Sequence, residues 1–178
     1  MLSSFAVPAG HGMLPRVLTS REEEVRVSIV TNRAVVRRFV EEVLGRGDFA
    51  ALNALAAPDC ADHAESPGPA PCPEALAQFL VTWRAAFPDL ALTVEDLVAA
   101  GDRVAARWTL RGTHRGAFLG LPPTGRRVAA GGLELYRLAE GKIVERWAVV
   151  DTLGLLRQLG AAPSDGAGRA HAPALAWA

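Results

Sequence analysis

Residues 112–160 read GTHRGAFLGLPPTGRRVAAGGLELYRLAEGKIVERWAVVDTLGLLRQLG. Residues 126–138 and 142–150 predict two strands, because apolar and polar side chains alternate along runs of typical strand length. Between them lies a loop of hairpin length, in which Gly141 can adopt the positive φ that a tight turn requires. The stretch therefore predicts an antiparallel hairpin, followed by a closing helical turn at 153–159.

Two further strands are predicted before this hairpin. Residues 90–100 alternate in side-chain character, and residues 103–113 follow them directly after the turn Gly101–Asp102. A short segment at 60–64 is a fifth candidate. The second half of the chain therefore predicts a mostly antiparallel sheet.

The first half predicts helices. Apolar residues recur at three-to-four spacing over 27–44, which indicates a long amphipathic helix ended by a glycine. Asp48 is suited to cap a second helix at 49–57, and a third follows Pro73. Helices followed by long antiparallel strands predict an α+β domain in which a bent sheet closes over the helices and encloses a pocket.

Composition points to one folded domain. The 178 residues are enough for one domain with one core. Residues 25–160 are interpreted as that domain. Residues 1–24 and 161–178 are interpreted as tails, because they are rich in small residues and proline without a hydrophobic period.

Charge and cysteine usage narrow the expected partners. The 19 basic and 19 acidic residues cancel, so we expect no nucleic-acid partner. No apolar run reaches the roughly 18 residues of a membrane span, and the start does not resemble a secretion signal. Cys60 and Cys72 form no CxxC motif. These features predict a reduced, cytoplasmic protein without membrane contact.

Four sequence blocks resemble the SnoaL-like polyketide cyclase family of the nuclear transport factor 2-like superfamily. They are AAFPDL at 85–90, GDRVAARWTLRGTHRGAFLGLPPTGRRV at 101–128, GKIVERWAVVD at 141–151 and GLLRQLG at 154–160. The resemblance covers about residues 28–160. It implies a conical α+β barrel of a curved, mostly antiparallel sheet packed on N-terminal helices. It also implies a small hydrophobic or polyketide-like substrate and a homodimer.

Asp151 is the first candidate catalytic residue. In the cyclases that the chain resembles, an aspartate at this place acts as general acid/base on the acidic proton between carbonyls. That task suits a carboxylate in a partly apolar pocket, and Trp147 is expected to supply one wall. The alternative is structural, since Asp151 can cap a helix that begins at Thr152. The two roles can coexist.

Two histidines are candidates for ligand contact. His114 can hydrogen-bond a substrate carbonyl or enolate as a second catalytic group, or it can fix its glycine-flanked loop through backbone hydrogen bonds. His63 follows Asp62, an Asp-His pair that often faces the pocket in similar proteins. For His63, ligand contact and loop structure remain equal alternatives.

Further candidates lie on the predicted strands. Arg107 can clamp a carboxylate or enolate with its fork of donors, or form an ion pair with Glu134 or Glu145. The ion pair is the preferred interpretation, because a buried charge needs a partner of opposite charge. Glu134 and Tyr136 share one strand face and are candidates for lining the cavity.

Aromatic residues suggest the shape of the substrate. Trp83 and Phe118 would suit a flat aromatic molecule, although aromatics at helical spacing equally suit a core. The segment 122–127 lacks the order of a phosphate loop, and the histidines are scattered. We therefore expect neither a metal nor a cofactor.

Three functions agree with these residues. The first is a cofactor-independent aldol-type cyclase that acts by proton abstraction and enolate stabilisation. The second keeps the pocket but opens an epoxide or assists a hydroxylating partner. The third is a non-catalytic, dimeric ligand-binding module, since a fold does not determine function.

Overall fold

The computed structural model describes residues 19–64 and 72–161. Its helices are α1 (Ser20–Arg38), a π-helical segment (Phe39–Leu44), α2 (Phe49–Leu55), α3 (Cys72–Ala86) and α4 (Thr152–Leu159). Its strands are β1 (Ala56–Asp62), β2 (Ala91–Ala100), β3 (Arg103–Thr113), β4 (Arg127–Ala139) and β5 (Lys142–Val150). Helix α1 begins inside the stretch 1–24 that we interpreted as a tail. The rest of the predicted tails, 1–18 and 162–178, lies outside the described residues.

The strands form one mixed sheet in the order β1-β5-β4-β3-β2. Neighbours from β2 to β5 are antiparallel, whereas β1 runs parallel to β5. The sheet has two edges, β1 and β2, and is not closed into a complete barrel. The predicted cone-like α+β fold is confirmed. The short strand expected at 60–64 begins earlier, at Ala56, and α2 accordingly ends at Leu55 rather than at residue 57.

Two-residue turns set the register of the sheet. Glu140 and Gly141 join β4 to β5 with φ values of 51° and 76°, which is the paired positive φ that a tight hairpin favours. Gly101 (φ 59°) begins the turn from β2 to β3. Both predicted hairpins are therefore present.

The sheet buries one face. On β3 the inner residues Val104, Ala106, Trp108 and Leu110 are buried beneath the helices, while Arg107 on the opposite, outer face is exposed. This division follows the alternation of the strand. The inner face of the sheet and the helices together form the core and border the cavity described below.

The last six residues of the predicted first helix are π-helical. Phe39, Val40, Val43 and Leu44 are all buried there, and Phe39 packs edge-on against Tyr136 with ring centroids 5.5 Å apart. π-Helical segments occur frequently at functional sites, and Leu44 lines the cavity. Within the described part of the chain, no helix is both long and apolar enough to cross a bilayer.

Candidate functional site

A cavity of about 40 Å³ lies between α3 and the inner face of the sheet. Its wall is mainly apolar and aromatic, and Glu134 and Arg146 supply charge. The lining residues are Leu44, Phe79, Leu80, Trp83, Leu90, Leu92, Trp108, Leu110, Glu134, Arg146 and Val150. An apolar pocket with a few convergent polar groups is the usual form of a small-molecule site.

A buried ion-pair network forms the polar part of this cavity. Arg146 donates from Nε and Nη2 to the Glu134 carboxylate at 3.2 and 2.7 Å, and from Nη1 to the Asp62 carboxylate at 3.2 and 2.9 Å. The side chains are 5% (Arg146), 1% (Glu134) and 9% (Asp62) exposed. Every guanidinium nitrogen therefore already donates to a carboxylate, in a place with little access to water.

Tyr136 completes the network. It lies two residues after Glu134 on the same face of β4 and donates its hydroxyl proton to that carboxylate. Burial, and then the charge of Glu134, raise the pKa of Tyr136 well above its ordinary value, so the phenol stays protonated. Burial alone would lower the pKa of Arg146, but Glu134, Tyr136 and Asp62 outweigh it and hold that pKa well above its usual range. Both residues therefore remain hydrogen-bond donors.

A register shift places Arg146 on the inner face. Arg137 pairs with Glu145, whereas its neighbour Leu138 pairs with Ile143, so Val144 is an extra residue in β5. Strict alternation would put Arg146 on the face opposite Ile143, but the bulge brings both to the inner face, where both are buried. Asp62 on β1 and Tyr136 on β4 are the strand partners on either side of Arg146.

The same bulge corrects the prediction for Trp147, which we expected in the pocket wall. Trp147 lies on the outer face, where its ring stacks on His63 with centroids 4.7 Å apart. The Arg103 guanidinium lies 5.9 Å from the centre of the Trp147 ring. His63 therefore contacts an outer-face tryptophan, and neither ring is among the cavity-lining residues.

Arg107 also lies on the outer face. It forms an ion pair with Asp96 across the β2–β3 ladder, with Nε at 2.8 Å from Oδ2. The predicted partners were wrong: Glu134 pairs with Arg146, and Glu145 pairs with Arg137 at 2.8 Å. A register shift in β2 between Val94 and Asp96 produces this pairing.

Asp151 caps α4. Its Oδ1 accepts a hydrogen bond of 2.8 Å from the Gly154 backbone N–H, and its side chain is exposed. The residue before it, Val150, lines the cavity, but Asp151 does not. The structure therefore contains the capping role, and the catalytic role of Asp151 stays a prediction.

His114 is completely buried and holds its loop together. Its Nδ1 lies 3.3 Å from the Thr124 backbone nitrogen, which donates to it, and its backbone pairs with Arg126 and Gly125. With Nδ1 as acceptor, the ring proton is on Nε2, which has no hydrogen-bond partner among the described residues. Nearby, the Asp89 carboxylate accepts from Thr113 through its hydroxyl and its backbone N–H, and these hydrogen bonds lower the pKa of Asp89.

The aromatic candidates pack beside one another. Trp83 lines the cavity, and Phe118 packs edge-on against it with ring centroids 4.9 Å apart. Phe118 lies outside the lining and supports Trp83. In residues 19–64 and 72–161, no group of three or more His, Cys, Asp or Glu side chains is placed to hold a metal ion.

Sequence reasoning missed two residues of the site. Arg146 was overlooked because the bulge in β5 reverses its predicted face. Trp108 was not among the candidates, yet it lines the cavity and its indole N–H has no partner within the described ranges. A tryptophan directly opposite a glycine would have been the available signal, since Trp108 pairs with Gly132.

Comparisons with known proteins agree with this architecture. A family model described as SnoaL-like polyketide cyclase matches residues 34–159. Over 90 residues, the chain is 41% identical to nogalonic acid methyl ester cyclase of Streptomyces nogalater. The aligned segment covers 49% of the chain and 66% of that protein. The chain is 40% identical to aklanonic acid methyl ester cyclase DnrD of Streptomyces peucetius, over 49% of the chain and 61% of that protein. The chain thus spans less than two thirds of the length of these relatives.

Solved structures match over more of the chain. AclR from Streptomyces galilaeus superposes with a TM-score of 0.68 at 32% identity, over 76% of this chain and 89% of AclR. IdmH from Streptomyces antibioticus superposes with a TM-score of 0.65 at 34% identity, over 72% of this chain and 98% of IdmH. The family model matches residues 34–159, and these solved structures share the fold. The chain therefore belongs to the SnoaL-like polyketide cyclase family.

Proposed function

We propose that this protein closes a ring in a polyketide-like ketone by an intramolecular aldol reaction, without a cofactor. The observation that carries the proposal is the placement of Glu134, a buried carboxylate held by Arg146 and Tyr136 in the wall of an otherwise apolar cavity. The names of the similar nogalonic and aklanonic acid methyl ester cyclases support the same chemistry.

The reaction needs only movement of a proton. A carboxylate removes the acidic proton from a carbon between two carbonyls, and the resulting enolate carbon attacks another carbonyl of the same molecule. The carboxylic acid then returns the proton to the new alkoxide, so atoms and charge balance. An apolar, aromatic wall with Trp83 suits a planar substrate and keeps bulk water away from the enolate.

Two carboxylates compete for the role of base. The family resemblance favours Asp151, the base expected from the sequence. The geometry favours Glu134, because it lies in the cavity wall, whereas Asp151 is exposed and lies outside that wall. We therefore assign the proton transfer to Glu134.

The charges in the cavity wall, together with Asp62 behind Arg146, favour a neutral substrate. Two carboxylates, Asp62 and Glu134, face one guanidinium, so a substrate carboxylate would add to an existing excess of negative charge. Each side-chain nitrogen of Arg146 already donates to a carboxylate of the protein. A ketone with an esterified acid avoids this repulsion.

Two single variants test the assignment. With nogalonic acid methyl ester as substrate, Glu134→Gln should lower kcat by about 10²- to 10⁴-fold, because an amide cannot take up the proton. Asp151→Asn should keep most of the activity, since an asparagine oxygen can still cap α4. The measurement is the initial rate of ring closure by absorbance, with circular dichroism to verify folding.

The opposite pattern would assign the base to Asp151. The cyclase function itself is wrong if the wild-type protein closes a ring in neither nogalonic nor aklanonic acid methyl ester. Its similarity to AclR, which is named as a candidate hydroxylase, then makes substrate hydroxylation the next activity to assay. Binding of substrate without any turnover would favour the non-catalytic module.

We also propose that the protein is a homodimer, with the outer face of the sheet as the interface. Leu133 and Val149 are cross-strand neighbours there and are 57% and 72% exposed, and the pair Leu135 and Trp147 lies next to them. An exposed apolar patch of this kind marks an interaction surface, and a two-fold axis would bury the same patch on both copies.

Solution mass tests the dimer. Sedimentation of the wild-type chain should give twice the monomer mass of 18.8 kDa, and Val149→Lys should shift it to the monomer. Val81→Lys is the matched control, because Val81 is 51% exposed but belongs to α3, which lies on the other side of the sheet. A wild-type chain that sediments as a monomer at every protein concentration measured would refute the proposal.

A further inference from the structure

The indole N–H of Trp108 is a buried donor without a hydrogen-bond partner among the described residues. Trp108 is 4% exposed and lines the cavity. Buried tryptophan N–H groups usually have an acceptor, and each one that does not needs an explanation. Phenylalanine would supply a smaller aromatic ring with no donor to satisfy.

The position of the Trp108 ring is well defined by the sheet. Trp108 on β3 pairs directly with Gly132 on β4, and its six-membered ring occupies the space that a Cβ of Gly132 would need. The next inner residue of β4 is Glu134, which pairs with Ala106. Trp108 and Glu134 are therefore diagonal neighbours on one sheet face, a separation of about 7–8 Å between backbones.

The other polar groups of the cavity are already engaged. The Arg146 nitrogens donate to Asp62 and Glu134, and the Tyr136 hydroxyl donates to Glu134. A ligand carbonyl could use the Tyr136 hydroxyl only by breaking its hydrogen bond, and at Arg146 it would compete with the carboxylates to which each nitrogen already donates. The Trp108 N–H carries no such cost.

We propose that the Trp108 indole N–H donates a hydrogen bond to a ketone or ester carbonyl of the ligand and so positions it beside Glu134. This inference rests on the proposed function for the identity of the cavity as the substrate site. A neutral donor suits a neutral carbonyl, and the bond strengthens as negative charge develops on that oxygen in the enolate. Trp108 is a positioning group for the substrate, and Glu134 is the base.

The cavity must widen before this contact forms. Its volume of about 40 Å³ holds only a few water molecules, whereas ligand pockets are about 300–1,000 Å³. Side chains of the opposite wall, such as Phe79 and Leu80 of α3, must therefore move when a ligand enters.

Two shape-matched probes test the proposal. The ketone 2-acetylnaphthalene and the alkene 2-isopropenylnaphthalene differ in the carbonyl oxygen, which a CH2 group replaces. Fluorescence titration of the full chain should show that the ketone binds about tenfold more tightly, a typical contribution of one hydrogen bond. Trp108→Phe should bind both probes equally. Trp83→Phe, which alters another tryptophan in the same wall, should keep the tenfold preference.

A spectroscopic measurement covers the case in which Trp108→Phe does not fold. In wild-type protein labelled with ¹⁵N-tryptophan, the ketone should move the Trp108 indole proton downfield, and the alkene should not. A preserved preference in Trp108→Phe, an unmoved indole proton, or failure of both probes to bind the wild type would each overturn the proposal. If the protein closes the ring of the methyl ester but gives one of these results, only the Trp108 proposal is wrong. If the protein prefers the ketone but closes no ring, only the cyclase proposal is wrong.

Discussion

Replacement of Arg146 by methionine is expected to lower the free energy of unfolding by about 3–5 kcal/mol. The substitution leaves the carboxylates of Asp62 and Glu134 buried together without a positive partner, in a place with little access to water. Removal of one member of a buried ion-pair network costs this much because the remaining charges stay desolvated. Urea unfolding followed by circular dichroism measures the change.

The chain offers a matched control on the other face of the same sheet. Arg137→Met breaks the ion pair with Glu145, but these side chains are 33% and 27% exposed, so the expected cost is below about 1 kcal/mol. A second variant tests the reason. Asp62→Asn and Glu134→Gln, added to Arg146→Met, remove the unpaired charge and should recover much of the lost stability. Equal costs for Arg146→Met and Arg137→Met would contradict the account of the network.

Replacement of Gly132 by alanine is expected to destabilise the protein by about 1–3 kcal/mol and to abolish ligand binding. An alanine Cβ would occupy the space of the Trp108 indole, so the ring must leave its position in the cavity wall. Backbone strain does not contribute, because Gly132 is not among the glycines with positive φ. Denaturant unfolding and a probe titration measure the two effects.

Gly131 is the control for this substitution. It precedes Gly132 in β4 on the outer face, and a Cβ there would meet nothing within 4 Å. Gly131→Ala should therefore be neutral or stabilising by about 0.4–1 kcal/mol, because alanine restricts the unfolded chain. If both alanine variants were equally stable, the indole would not depend on the missing side chain of Gly132.

Strand alternation predicts the buried face correctly on β3 but not on β5. On β3, alternation correctly separates the apolar residues, including Trp108, from the arginines, because the strand pairs with β4 without interruption. On β5, the same rule places the Trp147 side chain on the face that borders the pocket. A single extra residue at Val144 reverses the faces beyond it and brings Arg146 inward.

Local interactions made much of the fold predictable. The Asp48 cap, the turns at Gly101 and Gly141 and the helix spacing each depend on residues a few positions apart, so their signals lie in short stretches of sequence. The Asp151 cap is of the same kind, and its Gly154 partner lies three residues away. Such contacts involve almost no choice of distant partner.

By itself, the sequence determined the family, the cone-like α+β class, the hairpins and the list of ionisable residues in the second half of the chain. Only the tertiary structure decided which of them meet. Arg146 reaches Asp62 across 84 positions of sequence because β1 joins the edge of β5 in parallel, and a bulge turns it inward. Pairing between distant strands depends on how the whole sheet packs against its helices, and no local pattern of residue types encodes that choice.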